Sequence, residues 1–244
     1  MASLLRVDGS WPEPITLSAG FFRARARPWN DFYTDPMVRL DRGGAEFLRL
    51  VSAHLAHKRV DSIYSPALYP SATAVWRRSG FQTHAELAVM ERSLHRVGSD
   101  IANGVSRSGR PDWESVLRVD EAAFEGFWRM SLLAIREAYE TSRTSALLET
   151  FAAEDLVGYA IVGNQWGVSY LHRIAVHPDH AGRGLGTSLL NAAAVWGRAH
   201  GARSMVLNVR DVNKKAQALY QRCGFSHTGT RLAVLRHQAD DMAD

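Results

Sequence analysis

The chain has 244 residues, 46% of them hydrophobic and 22% charged, with a formal net charge of +4. This is the composition of an ordinary soluble globular protein, long enough for one large domain or two small ones. No run approaches the roughly 18 apolar residues of a membrane span, the N-terminus MASLLRVDGSWPEP lacks the apolar core of a secretory signal, and the single cysteine, Cys223, excludes an internal disulfide, so a cytoplasmic protein is expected.

In chain order, the first apolar run at helical spacing is GAEFLRLVSAHLAH, 44–57, followed by a short strand-like run, DSIYSP, 61–66. Residues 74–81 read AVWRRSGF, and HAELAVM, 84–90, is a further candidate strand. Residues 98–112, GSDIANGVSRSGRPD, have a loop's composition. They divide the chain into a unit at 1–97, a linker at 98–111 and a unit at 112–244. The first 110 residues hold 15 Lys and Arg against 10 Asp and Glu. An excess this small is read as a solvated arginine-rich surface, and no nucleic-acid partner is expected.

Asp112 is placed to cap a helix. Residues 113–141 then carry Leu117, Ala122, Phe124, Phe127, Trp128, Leu132 and Ile135 at helical spacing, with a break expected near Glu125-Gly126. Three strands follow: SALLETFAA, LVGYAIVG after the turn signal Glu154-Asp155, and SYLHRIAVH after Asn164–Gly167. Pro178 ends the third, because proline has no N–H for the ladder. A helix opens after the glycines at 182–186, buries Leu185, Leu189, Ala192, Ala193 and Trp196 by period, and stops at Gly201. The strand SMVLNVR, a helix from Asn213 and a last strand, TRLAVL, complete the chain.

Residues 218–225, ALYQRCGF, echo AVWRRSGF at a constant offset, and the elements flanking the two copies match in kind. Such a repeat predicts two related α/β units.

Residues 171–190, LHRIAVHPDHAGRGLGTSLL, bear the chemistry. A strand ends at Val176, and Gly182, Gly184 and Gly186 lead into a helix. Glycines let the backbone approach a ligand closely. The unpaired N–H groups of the helix's first turn, with its dipole, favour an anion such as a pyrophosphate. A dinucleotide site of the Rossmann type wants its glycines after the first strand and an acidic residue about 20 positions on. Here the loop follows the third strand of its unit, and Met205, Val206 and Leu207 are apolar. His177 and His180 lie close together, but no third ligand accompanies them, so no metal is expected.

Ile174-Ala175-Val176, then Pro178, then Ala181-Gly182-Arg183-Gly184-Leu185-Gly186 resemble the coenzyme motif of the GCN5-related N-acetyltransferase (GNAT) family. Asn213, Ala216, Leu219, Tyr220, Gly224 and Phe225 match its later pattern. The resemblance covers roughly residues 112–236. It implies the acyl-CoA N-acyltransferase fold: a mixed, mostly antiparallel twisted sheet flanked by helices, an α/β (α+β) protein with two related units. It also implies acetyl-CoA as co-substrate. Ile174, Ala175 and Val176 are expected to splay from the neighbouring strand and pair with the pantetheine arm. Gly182, Arg183, Gly184, Leu185, Gly186 and Thr187 would cradle the pyrophosphate, and Asn213 would touch the coenzyme. The Val176 amide would stabilise the oxyanion, and Tyr220 would protonate the departing thiolate.

Two positions depart from the family pattern. Ala181 stands where the family has Gln or Arg. Asn208 stands where relatives acetylating the N-terminal alanine of ribosomal proteins place a Glu base, and Asn accepts no proton. His172, or alternatively Glu149, is the candidate base. The implied function is transfer of acetyl to a primary amine, on a protein N-terminus or a small molecule. A non-catalytic acetyl-CoA sensor or scaffold is the alternative. The first unit has Trp76 in place of the tyrosine and Leu40–Gly44 in place of the cradle, lacks recognisable early strands, and is read as a degenerate copy.

Overall fold

A computed structural model describes residues 5–98 and 104–239; residues 99–103 of the expected linker lie outside that range. The chain forms two compact units. One takes the described residues up to Leu87 together with those from Thr230, and the other is Ala88–Gly229. The units therefore part at positions other than the segments 1–97, 98–111 and 112–244. The reason is topological: strands β6 (Gln82–Ser93) and β12 (Ser226–Gln238) each run through a unit boundary. In addition, β7 (Ser106–Arg107), within the expected linker, pairs with a strand of the second unit.

In the first unit, β1 (Arg6–Asp8), β2 (Ile15–Ala19), β3 (Phe22–Pro28) and β4 (Pro36–Arg42) are antiparallel neighbours. β5 (Ser62–Tyr64) is parallel to β4 and antiparallel to β12. The early strands expected to be missing are thus present. They lack an obvious hydrophobic signature because β3 reads FRARARP: Ala24 and Ala26 are buried while Arg23 and Arg25 face water. Arg25 is held by Asp41 through bonds of 2.9 and 2.8 Å. Helix α1 (Ala45–Ala56) buries Phe47, Leu48, Val51 and Leu55 against one face of these strands. The short α2 (Thr73–Arg77) adds Trp76 to the same core.

The second unit begins with α3 (Trp113–Ala123), capped by Asp112, whose Oδ1 accepts from Ser115 N at 3.3 Å. The expected break is a single 3-10 turn, Gly126–Trp128, with Gly126 at φ 53°. Helix α4 (Leu132–Glu140) restarts where Ser131 Oγ accepts from Ala134 N. Strands β8 (Thr144–Ala152), β9 (Asp155–Gln165) and β10 (Val168–Val176) are antiparallel hairpins. The first hairpin turns at Ala153-Glu154, one residue before the expected Glu154-Asp155, with Ala153 at φ 54°. The second turns at Trp166-Gly167, φ 55° and 78°, the positive pair that a two-residue hairpin requires. Helix α5 (Leu185–Ala199), strand β11 (Ser204–Arg210) and helix α6 (Lys214–Arg222) follow, with β11 parallel to β10.

One face of this sheet packs on α5 and α6 through Leu148, Ala160, Leu189, Ala193, Met205, Leu207 and Tyr220. The other packs on α3 and α4 through Val116, Val119, Ile135, Leu147, Tyr159 and Ile161. Both units are mixed, mostly antiparallel sheets flanked by helices, as the sequence implied.

Candidate active site

Strands β10 and β11 pair only over Val168↔Ser204, Ser169↔Met205 and Tyr170↔Val206. Beyond Tyr170 they part, and this opens the cleft on which the site is built. On its other edge β10 stays paired with β9 to Val176↔Gly158, through an irregularity between Leu171 and Arg173. His177 N donates to Val157 O at 2.8 Å. Successive amides of a strand point to opposite edges, so the amides of Val176 and Ile174 face the opening. Ile174 and Val176 rest their side chains on the α5 core, and Ala175 rests on the α3–α4 core.

After Val176 the chain makes one 3-10 turn, Pro178–His180, and reaches the glycines. Gly182 and Gly184 adopt φ 79° and 83°, which side chains with a Cβ resist. A methyl on either would meet nothing within 4 Å, so the loop is open where a ligand would lie. Gly186 differs: a methyl there would stand 3.2 Å from Leu219 Cδ2, so this glycine serves the close approach of α5 to α6. Gly184 is the N-cap of α5 and offers no side-chain acceptor. The amides of the first turn, including those of Leu185, Gly186 and Thr187, therefore await an external anion. Arg183 donates to Asp179 O at 3.2 Å, and Ala181 is exposed.

Asn213 is the N-cap of α6; its Oδ1 accepts from Ala216 N at 3.1 Å. That oxygen shapes the helix start, and the amide nitrogen keeps both its donors for a ligand. Two turns on, Tyr220 is 7% exposed. Burial pushes its phenol up to about 12, with the Arg173 charge opposing. The group is therefore protonated throughout the neutral range and holds a proton to give. Its position is fixed by the turn behind it: Phe225 N donates to Tyr220 O at 3.0 Å, and Gly224 takes φ 84°.

The two candidate bases each have partners within the second unit. His172 sits at the β10 irregularity, its Nε2 2.8 Å from Ser142 Oγ and its ring stacked on Tyr170. Burial lowers its pKa to about 4, which makes it a weak proton acceptor. Glu149 lies on β8 opposite Tyr159. Burial raises its pKa, a Ser108 hydrogen bond opposes the rise, and Asp112 adds to it. Asn208 is exposed on β11.

A buried charged cluster went unseen in the sequence because its members are far apart in the chain. Asp120 is fully buried on α3. Its carboxylate accepts from Arg173 Nε and Nη2 at 2.6 and 2.8 Å, from Tyr159 OH at 2.6 Å and from Met130 N at 3.0 Å. Arg173 also donates to Trp128 O at 2.9 Å and lies 3.5 Å above the Phe124 ring. An arginine of β10 thus ties down the 124–130 turn. Such a pair is strongly destabilising to break, about 3–5 kcal/mol when one partner is removed. The sequence offered one signal: Asp120 interrupts the apolar face of a helix.

Comparison with known proteins agrees with this arrangement. The model of the acetyltransferase (GNAT) family matches residues 113–225. The chain is 32% identical over 210 residues to a mycothiol acetyltransferase of Rhodococcus jostii, covering 77% of this chain and 68% of that protein. It is 28% identical over 219 residues to a mycothiol acetyltransferase of a Nocardioides species, covering 79% and 74%. Among solved structures, a tandem GNAT protein from the clavulanic acid biosynthesis pathway superposes with a TM-score of 0.60 at 18% identity, covering 96% of this chain and 83% of that one.

Proposed function

This chain belongs to the GNAT family of acetyltransferases, and from that premise we propose that it moves an acetyl group from acetyl-CoA to a primary amine by direct attack, all within the second unit. The observation that carries the reading is the opening between β10 and β11, flanked by an uncapped glycine turn and a buried, protonated tyrosine.

The donor side is assigned as follows. The amides at 182–187 hold the pyrophosphate, with Arg183 beside them. The free edge of Ile174–Val176 pairs with the pantetheine arm as an added strand would. The Val176 amide donates to the thioester oxygen as negative charge grows there, and a preorganised donor at such a point contributes about 2.7–4 kcal/mol. Tyr220 gives its phenolic proton to the departing sulfur. Asn213 contributes its amide nitrogen.

On the acceptor side the amine must be neutral to attack. His172, with a pKa of about 4 and a partner in Ser142, is assigned a structural role, and the amine loses its proton to water. A small-molecule amine is favoured over a protein N-terminus, because relatives spanning both units are named for mycothiol. No metal takes part in this scheme, and among the described residues no group of three or more His, Cys, Asp and Glu is placed to hold one. No described helix is long and apolar enough to cross a membrane.

The first unit is assigned as a degenerate copy. Its loop before α1 is filled from within: a methyl at Gly43 would lie 2.5 Å from Phe47 Cδ1. Trp76 replaces the acid, and an indole has no proton to give at neutral pH.

Thermal unfolding with acetyl-CoA, followed by free-thiol release with a panel of amines, tests the reading. Acetyl-CoA at 100 times its Kd is expected to add about 2.7 kcal/mol of stability, with thiol released when an accepted amine is supplied. No shift at millimolar acetyl-CoA would overturn it.

A further inference from the structure

The opening between β10 and β11 has a second rim, on the face away from α5. There the single turn Gly126–Trp128 lies across it. Trp128 is tied to both strands. Its carbonyl accepts from Arg173 of β10, and its ring lies 5.0 Å from the guanidinium carbon of Arg210, the last residue of β11. By the alternation of a strand, Arg210 shares its face with Ser204, Val206 and Asn208, while Met205, Leu207 and Val209 point into the α5 core. Arg210 therefore faces away from the helix whose N-terminus is assigned to the pyrophosphate.

The two arginines at this rim differ in how their charge is met. Arg173 is matched by Asp120 at 2.6 Å. Arg210 is half-buried and has no carboxylate partner among the described residues; its contact is the Trp128 ring. Its guanidinium N–H groups make no hydrogen bond among the described residues, and that fork matches a carboxylate in two parallel hydrogen bonds. The backbone beneath it is fixed, since Arg210 O accepts from Asn213 N and from Gln217 Nε2, both at 3.0 Å. A half-buried cation with no carboxylate partner among the described residues, on the face of the opening away from α5, is suited to recognise an anion.

We propose that Arg210, set over the Trp128 ring, is the specificity-determining residue of the acceptor side and binds a carboxylate carried by the amine substrate. The acceptor is then an amino carboxylate: an amino acid, or a conjugate with an amine and a carboxylate within reach of each other. This rests on the acetyl-transfer reading for the identity of the pocket, and the test is built to separate the two.

The probes are a series of α- and ω-amino carboxylates, each paired with its own carboxamide, so that the members of a pair differ only in charge. Binding to the full-length protein saturated with CoA is measured by calorimetry, which requires no turnover, for wild type, Arg210→Met and Arg210→Lys. At least one carboxylate is expected to bind wild type about tenfold or more tighter than its amide, a two-point charge-assisted contact. Arg210→Met should bring that ratio near one, and Arg210→Lys should restore only part of it. Acetyl-CoA affinity, measured separately, should not change in either variant. The proposal is overturned if wild type binds both members of every pair alike, if Arg210→Met keeps the preference, or if the variant instead loses acetyl-CoA. A carboxylate preference that depends on Arg210, in a protein that transfers acetyl to none of the probes, would uphold the anion site and count against the acetyl-transfer reading alone.

Discussion

The two units run through the same order of elements and differ where the chemistry is. β4–α1–β5–α2–β6 in one copy answers to β10–α5–β11–α6–β12 in the other, the last strand of each running on into the other unit, and in both the two strands around the first helix are parallel. The echoed motif closes the same way in each. Phe81 N donates to Trp76 O at 3.2 Å and Phe225 N to Tyr220 O at 3.0 Å, with Gly80 at φ 91° and Gly224 at 84°. The glycine is needed for that turn, so both copies retain it. The loop before the helix differs at one position: Gly43 is packed against Phe47 and Leu40 in the first unit, with Gly44 open, whereas both Gly182 and Gly184 are open in the second. The aromatic differs as well, being an indole in one unit and a phenol in the other. The comparison teaches that the turn is a requirement of folding, while the open loop and the phenol are requirements of something else.

Substitutions in matched pairs sharpen this contrast. The largest effect is expected at the aromatics. Tyr220→Phe should lower kcat by about 10²–10⁴ while leaving acetyl-CoA binding intact. Trp76→Phe should cost stability through its buried ring and leave kcat per folded molecule unchanged. Equal losses of kcat in both would erase the distinction between the units. Next, Asp120→Ala should destabilise the protein by about 3–5 kcal/mol, because Arg173 is left buried without its counter-charge; denaturant unfolding measures this. The double change Asp120→Ala with Arg173→Met should recover much of the loss.

Smaller again is the backbone at the cradle. Gly184→Ala forces a side chain into φ 83° at a cost of about 1–2 kcal/mol, and it should weaken acetyl-CoA binding in titration calorimetry. Gly44→Ala, at the matching N-cap of the first unit, has extended backbone at φ −106° and open space around it, so binding should not change. The last expected effect is a pH slope. His172 is held neutral, its pKa lowered by burial from 6.5 to about 4. Between those values the unfolded chain binds more protons than the folded one, so this group's contribution is present above about 6.5 and is lost as pH falls toward 4. In His172→Gln, the difference in unfolding midpoint from wild type should shrink across that window; a constant difference would contradict the burial of a neutral imidazole.

Much of the second unit was legible because its signals are local. Asp112 and Asn213 are side-chain caps, Trp166-Gly167 is a hairpin turn, and the glycine loop and the 213–225 pattern each lie within one short stretch. The two motifs also lie on β10, the glycine loop and α6, the elements beside the opening between β10 and β11. Signals that depend on distant partners were not legible. The alternation of Ala and Arg in β3 carries too little hydrophobicity to mark a strand, and its arginines find Asp41 only after the sheet forms. β6 and β12 read as ordinary strands, and nothing local says that each serves both units. Asp120 meets Arg173 across 53 positions. His172 looked like a base by its intrinsic pKa, but burial and Ser142 decide its chemistry, and neither can be read from a neighbouring residue. Arg210 stood at the end of a plain strand, and only the Trp128 ring beneath it marks it out.

The most direct test of the central claim is the stoichiometry of acetyl-CoA binding by titration calorimetry, with Gly184→Ala and Gly44→Ala beside the wild type. The account predicts one site per chain, weakened by the first substitution and untouched by the second. Two sites per chain, or a single site that responds to Gly44 and ignores Gly184, would contradict it.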